Sequence, residues 1–432
     1  MSAAEHAPGT PQAGFYGWKL LGTFWLILFT NFAFPLYGAS VVNAYMAADL
    51  HFNRGELGLA YGMFQWMAGL PAPLAALCIN KKGVRFTMTL GCMTVMAGAM
   101  LMALVVHTSW QVVVVYGVVI GLGALAGGVL GAQSGISRWF IEGKARAITL
   151  VHTGSSIGGF VAAPLLNRVI AGFHGNWRAG WWLIAGLSGT GTLLSAFLIR
   201  ERPSDLGQLP DGGAVAGRAA ASAGAASGAR RKVYKTAEEW PFREVLRTPA
   251  IWLLLISLLG FSAGYPLFLA HGVVHLRDLG YTPGQAAFSI SIMLGASLGG
   301  TLVFAAFGDR VEPRYLWSAA SLVFCAGMLL ALRASGAAGL YAYAVCLGSG
   351  FGVGFSAMMS LPANYFGARA YPSVVGLMMA VGTTAGAMGA SLAGYVFDRA
   401  GSYAPAFYGV SGLAFAAAVL LLFTTPPMRR PA

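Results

Sequence analysis

Most groups in this 432-residue chain that could do acid–base or hydrogen-bond chemistry stand singly inside long apolar runs. His152, in "ITLVHTGSSIGG", lies about eight residues, or ~12 Å of helix, beyond Lys144. An imidazole at that depth can titrate near neutral pH, carry a proton and, when charged, face an anion; equally, it can be a neutral ring bonded between helices. His271, with Asp278 seven residues on, reads either as a gate or proton entry or as an interfacial hydrogen bond. Gln133 and Gln65 read as ligand contacts or as interhelical glue. Asn31, Tyr37, Ser297 and Thr301 complete the polar groups that could meet a ligand. The chain has no phosphate-cradling Gly-rich Lys-Ser/Thr loop, no metal-ligand cluster and no nucleophile triad, so neither enzyme chemistry nor a cofactor or metal is expected.

Charge is concentrated elsewhere. In "ALCINKKGVRFTM" (76–88), Lys81, Lys82 and Arg85 crowd between two apolar runs. The stretch "AAFGDRVEPRYLW" (305–317), 229 residues later, has the same layout and sets Asn80, Lys81 and Arg85 on Asp309, Arg310 and Arg314.

The elements that must position these groups follow from composition. With 57% hydrophobic and 9% charged residues and a mean hydropathy of +0.68, the chain is an integral membrane protein. Windows of about 20 apolar residues predict an all-α protein of twelve transmembrane helices. Helices 1–6 run over 16–43, 55–79, 84–106, 110–137, 145–173 and 179–199. Helices 7–12 run over 249–276, 284–308, 314–334, 337–363, 371–397 and 403–425. The domains expected are a cytoplasmic tail (1–15), a six-helix bundle (16–200), a cytoplasmic linker (201–247), a second bundle (248–425) and a short tail (426–432). The tail "MSAAEHAPGTPQAG" lacks the charge and apolar pattern of a signal peptide, so helix 1 is expected to be the insertion signal. All four cysteines fall in apolar spans, which argues against disulfides.

The net charge of +13 is a matter of topology, not of nucleic-acid binding. With the N-terminus inside, Lys81, Lys82, Arg85, Arg138, Lys144, Arg146, Arg310, Arg314, Arg369, Arg429, Arg430 and the basic linker are cytoplasmic. Arg54, Arg168, Arg178, Arg277, Arg333 and Arg399 lie outside, so both termini are expected in the cytoplasm. The Ala/Gly/Ser-rich centre of the linker cannot bury a core and reads as a tether. "EEWPFREVLRTPAIW" after it reads as a short interfacial helix.

The two halves repeat. An offset of 227 lays Gly121, Gly123 and Gly127 of helix 4 on Gly348, Gly350 and Gly354 of helix 10, and an offset of 228 lays "GSSIGG" (154–159) on "GTTAGA" (382–387). A duplicated six-helix unit, two bundles related by a pseudo-two-fold axis along the membrane normal with helices 1, 4, 7 and 10 around a central cavity, accounts for both matches. Small residues at every fourth position let helices approach closely in lipid. His152 breaks the pattern, because its repeat mate is the apolar Ala380.

The two bundles, the linker and the paired basic loops resemble the major facilitator superfamily over essentially the whole chain. The loop pattern of that family, Gly-x-x-x-Asp-Arg/Lys-x-Gly-Arg/Lys, keeps Lys81 and Arg85 in the first copy but has Asn80 for the acid; the second copy keeps Asp309 and Arg310. The resemblance implies a cytoplasmic latch in which Asp309 and Arg310 hold that side and the Asn80 copy is the weaker. "AGFYGW" (13–18), Trp139 to Gly154, "RERPSDLGQLPDG" (200–212) and "HGVVHLRDLGY" (271–281) are similar to the monocarboxylate-porter group and its oxalate/formate-antiporter relatives. That likeness implies a gradient-driven carrier of a small organic acid, working as a monomer in the bacterial inner membrane, with the proton as candidate coupling ion.

Three departures bear on the substrate. The helix 8 Arg of that group falls on Thr301, with Ser297 one turn earlier; its helix 1 Lys falls on Leu36; and helix 11 contains no cation. An anion would need another partner, and His152 is the candidate at the depth of a central site, with Thr301→Arg expected to shift affinity toward monocarboxylates. Carriage of a neutral or amphipathic metabolite is the rival reading, and a membrane sensor without transport a more distant one.

Overall fold

The computed structural model describes residues 14–141, 144–213, 233–236, 238–308 and 310–427. Among them there is no strand, and eleven helices are long and apolar enough to cross a bilayer. Helix 1 is Gly17–Asp49, helix 4 Ser109–Trp139, helix 6 Arg178–Leu198, helix 7 Pro249–Asp278 and helix 8 Pro283–Phe307. Helices 9 to 12 are Pro313–Leu332, Gly336–Gly367, Arg369–Ala400 and Ala404–Phe423; helix 5 is Lys144–Gly172. Helix 2 is the twelfth: Arg54–Gly69 ends before Pro71, which lacks an N–H to continue the ladder. The chain resumes helical at Ala72 and turns at Gly83 (φ 90°) into helix 3, which ends at Leu104. An L side chain is strained at that φ, so glycine suits the hairpin.

The repeat is structural as well as sequential. Gly123 and Gly127 pack on Gly91, Cys92 and Val95 of helix 3, and Gly350 and Gly354 pack on Trp317, Ala320 and Phe324 of helix 9. Helices 2 and 8 both start in a capping box, Asn53 with Glu56 and Thr282 with Gln285. Each box satisfies orphan N–H groups at equivalent places in the two halves. The halves meet reciprocally, helix 2 on helix 11 and helix 5 on helix 8, as a pseudo-two-fold axis requires. Gly58 and Gly62 meet the backbone of helix 11 at Ala390 and Ala387, so any side chain there would push the halves apart.

These cross-half contacts favour one end of the molecule. They run from Arg54 and Asp398 down to Gly69 and Thr383, and from Gly284 and Asn167 to Gly295 and Phe160. No described hydrogen bond or ring contact joins the halves near Asn80–Arg85 or Arg310–Arg314. The bundle is therefore closed at the end carrying Asn53, Asp278 and Asp398, called the far end, and the end carrying the linker has none of these described cross-half bonds.

The expected interfacial helix before helix 7 is a single turn, Phe242–Val245. Trp240 and Val245 are buried, with Trp240 edge-on to Phe366 of helix 10. The segment docks on its own bundle instead of lying in the membrane surface, because its aromatic face found a protein partner.

Candidate functional site

At the far end a charged lock spans the halves. The guanidinium of Arg54, at the start of helix 2, donates to both oxygens of Asp278 at 3.0 Å. The carboxylate of Asp398, at the end of helix 11, accepts from the backbone N–H of Arg54 at 2.9 Å and of Gly55 at 2.7 Å. A carboxylate on a helix N-terminus meets orphan donors and the positive end of the helix dipole. Arg277 adds a 3.3 Å bond to the Ala44 carbonyl of helix 1. Asp278 therefore meets the other half and not His271. The His271 ring is fully buried, with Nε2 2.9 Å from the Ala390 carbonyl and Nδ1 3.1 Å from the Tyr403 hydroxyl. A carbonyl only accepts, so Nε2 donates and the hydroxyl serves Nδ1, which leaves the neutral ring with both nitrogens bonded.

In the middle of the bundle the Gln133 amide nitrogen lies 2.8 Å from His152 Nε2. An amide N–H donates to an unprotonated ring nitrogen, so this contact holds the neutral form; turning the amide would offer Oε1 to the charged one. Next to His152, Thr153 accepts from the Trp25 indole at 3.0 Å. Deeper toward the far end, the Tyr37 ring packs on Gly159 of helix 5, and the Tyr61 hydroxyl is buried without a partner. Tyr265 stands beside Ser297 and stacks on Phe351 of helix 10 at 3.8 Å between ring centres. Thr301 returns its hydroxyl to the Ser297 carbonyl at 3.1 Å, where Gly352 lets helix 10 approach helix 8 at backbone distance. Asn31 is buried with neither amide atom bonded. Gln65 is half-buried and has no described hydrogen bond. Thus the structure brings Gln133 to His152, and sets His271 and Asp278 in the far-end wall.

At the linker end the start of helix 3 is held by a residue outside the Asn80–Arg85 loop expected to form the weaker latch. Asn80, Lys81 and Arg85 are exposed, and the acid on the N-terminus of helix 3 is Glu201, from just after helix 6. Its carboxylate accepts from Val84 N at 3.0 Å and Arg85 N at 2.7 Å and pairs with Arg138 at 2.6 Å. Asp309 lies outside the described residues; Arg310 is exposed, and Arg314 bonds the Thr424 carbonyl at 2.9 Å. Glu239 does for helix 11 what Glu201 does for helix 3, accepting from Arg369 N at 2.6 Å. Each flank of the linker is thus stapled to the bundle it adjoins. Glu201→Gln, which keeps shape and removes charge, is expected to weaken three bonds in a half-exposed site. A loss of about 1–2 kcal/mol should appear as a fall of several degrees in the melting temperature of the detergent-purified protein; an unchanged value would show that the staple bears no load.

Sequence reasoning missed Arg54, Asp398, Glu201 and Tyr61. Asp398 and Arg54 are 344 residues apart, and only the neighbouring "NRGE" capping box marked a helix start needing an acid.

A two-bundle helical membrane protein built from a repeated six-helix unit and closed across one end has the architecture of a membrane transporter. The model of the Major Facilitator Superfamily matches residues 23–300 and 272–432, and the chain belongs to that superfamily. It is 24% identical over 439 residues to Monocarboxylate transporter 12-B of Danio rerio, covering 97% of this chain and 89% of the relative. It is 25% identical over 388 residues to the Oxalate:formate antiporter of Oxalobacter formigenes, covering 89% and 85%. Among solved structures, a point mutant of the nucleoside transporter NupG superposes with a TM-score of 0.70 at 15% identity, covering 94% of this chain and 99% of that one, which shows the shared fold.

Proposed function

We propose that this transporter moves a small organic acid across the inner membrane of a bacterium, with His152 as the group that takes up a proton as the acid binds. The linker end is cytoplasmic on this reading, as the basic segments there favour, and the conformation is inward-open. The observation that carries the proposal is the Gln133–His152 pair, 2.8 Å apart, in a centre whose facing helices 8 and 11 contain no Lys or Arg over 283–307 and 370–398. An imidazole is then the group that can become cationic where the acid needs a countercharge. The likeness to the zebrafish monocarboxylate transporter and the Oxalobacter oxalate:formate antiporter supports the same substrate class. The absence of a fixed cation favours a second reading, a neutral metabolite recognised by the Tyr37, Tyr61 and Tyr265 hydroxyls.

Counterflow into proteoliposomes separates the two. Preloaded lactate, formate or oxalate is expected to drive uptake of the same labelled acid, faster at lower external pH. Exchange of neutral solutes with no exchange of any acid would overturn the organic-acid reading.

A further inference from the structure

At the far end the two halves enclose a cavity of about 510 Å³. Helix 1 and the loop after it wall it with Ala44, Ala47, Ala48 and Phe52, and helices 7 and 11 with Val274 and Phe397. Of the charged residues that line it, Arg54, Asp278 and Asp398 are committed to the lock. Arg277 is not, and it has no described ion pair. Its described hydrogen bond runs from Nη1 to the Ala44 carbonyl at 3.3 Å, and its guanidinium lies 5.5 Å from the centre of the Tyr45 ring. That ring is fixed in turn, because the Tyr45 hydroxyl donates to Asn167 at 3.0 Å. A guanidinium carries five N–H donors, so most of those on Arg277 remain for whatever enters the cavity.

The repeat marks both guanidiniums of this cavity as additions. An offset of 229 lays the cap residues Asn53 and Glu56 on Thr282 and Gln285, and the acid Asp49 on Asp278. The same offset sets Arg277 on Ala48 and Arg54 on Pro283, so capping is duplicated while neither cation is. Asp49 is used inside its own half, accepting from the Trp177 indole at 2.8 Å, whereas Arg277 reaches the opposite half. A half-buried guanidinium with no carboxylate partner is incompletely satisfied, and its planar fork matches a carboxylate. The cavity volume falls within the ~300–1,000 Å³ of small-molecule sites. Its alanines, valine and two phenylalanines offer an apolar wall to the carbon skeleton of such an anion.

We propose that this cavity is an external docking site for the transported acid, whose carboxylate is held by Arg277. This rests on the organic-acid reading and on the cytoplasmic placement of the linker end, and it adds to the central His152 a first stop at the opposite mouth. Both halves contribute to the walls, so a docked acid lies in the path that opens when the far end parts. A fixed cation is thus present where the acid arrives, although the facing helices at the centre have none.

Ala48→Cys, at an exposed position on the cavity wall, reports occupancy without transport. A membrane-impermeant maleimide is added to right-side-out membrane vesicles, with the native cysteines of the wild type as the blank. Lactate or formate is expected to slow labelling several-fold, Arg277→Gln in the same background to remove that protection, and chloride at equal concentration to give little. In uptake, Arg277→Gln should raise KM about tenfold for acid supplied from the far side. KM for acid supplied from the linker side, measured in inverted vesicles, should not change. Should Arg277→Gln fail to reach the membrane, protection measured with Arg277 intact decides alone. No protection by either acid, protection by chloride as strong as by acid, or an equal rise in KM from both sides would overturn the docking site, and acid transport by the wild type would then leave the organic-acid reading in place. Failure of the wild type to carry any acid would remove that reading first, and this one with it.

Discussion

Neutralising Asp278 and Asp398 together is expected to open the far end of the transporter. Asp278→Asn removes the charge from a two-pronged pair with Arg54 whose side chains are 20% and 41% exposed, worth about 0.5 kcal/mol after solvent screening. Asp398→Asn replaces a carboxylate that accepts from two N–H groups at the start of helix 2, worth about 1 kcal/mol. The sum shifts a two-state population roughly tenfold toward the state open at the far end. Ser391 is a suitable reporter: its hydroxyl bonds the Gly58 carbonyl at 3.3 Å inside the contact of helices 2 and 11, and Ser391→Cys changes little in size. A membrane-impermeant maleimide added from the far side should label this cysteine about tenfold faster in the double variant than in the parent. Equal labelling rates would mean that apolar packing alone, not the charged lock, keeps this end shut.

Removing the central imidazole should have a different signature. His152→Gln is expected to flatten the pH profile of acid uptake, whereas the wild type should accelerate as external pH falls, because the charged ring and the anion stabilise each other on binding. The neighbouring Gln133 supplies a second arm. With Gln133→Leu, the ring keeps its proton chemistry but loses the amide that can turn to accept from it, so uptake should slow while pH dependence persists. A His152→Gln protein with wild-type rate and wild-type pH profile would take His152 out of the mechanism and leave the neutral-metabolite reading as the better one.

Much of the fold was legible before any coordinates. Glycine spacing marked helices 4 and 10 as closely packed, because small residues permit that approach in lipid, and the structure supplies the partners, helix 3 for helix 4 and helix 9 for helix 10. The break in helix 2 near Pro71 and the turn at Gly83 follow from residues with known backbone habits; the apolar window 55–79 ran through the first, whereas the second falls between the windows for helices 2 and 3. The site was half legible. His152 and Gln133 were both named, but nothing in a 19-residue separation said that they touch, since that depends on how helix 5 rotates against helix 4. His271 and Asp278 were named together as seven residues apart, yet they part in the structure: the ring bonds the Ala390 carbonyl and the Tyr403 hydroxyl, and the carboxylate pairs with Arg54.

The sequence by itself determined what is set by solvent and by local chemistry. An apolar chain in a bilayer must close its backbone bonds within helices, so span number and repeat could be read from composition and spacing. Tertiary structure decided which carboxylate sits on which helix start. Asn80 was next to helix 3 in sequence, yet Glu201 caps it; Asp398 caps a helix of the opposite half. The reason is physical: orphan N–H groups accept any carboxylate that the packed bundles carry to them, and distance along the chain does not enter that energy.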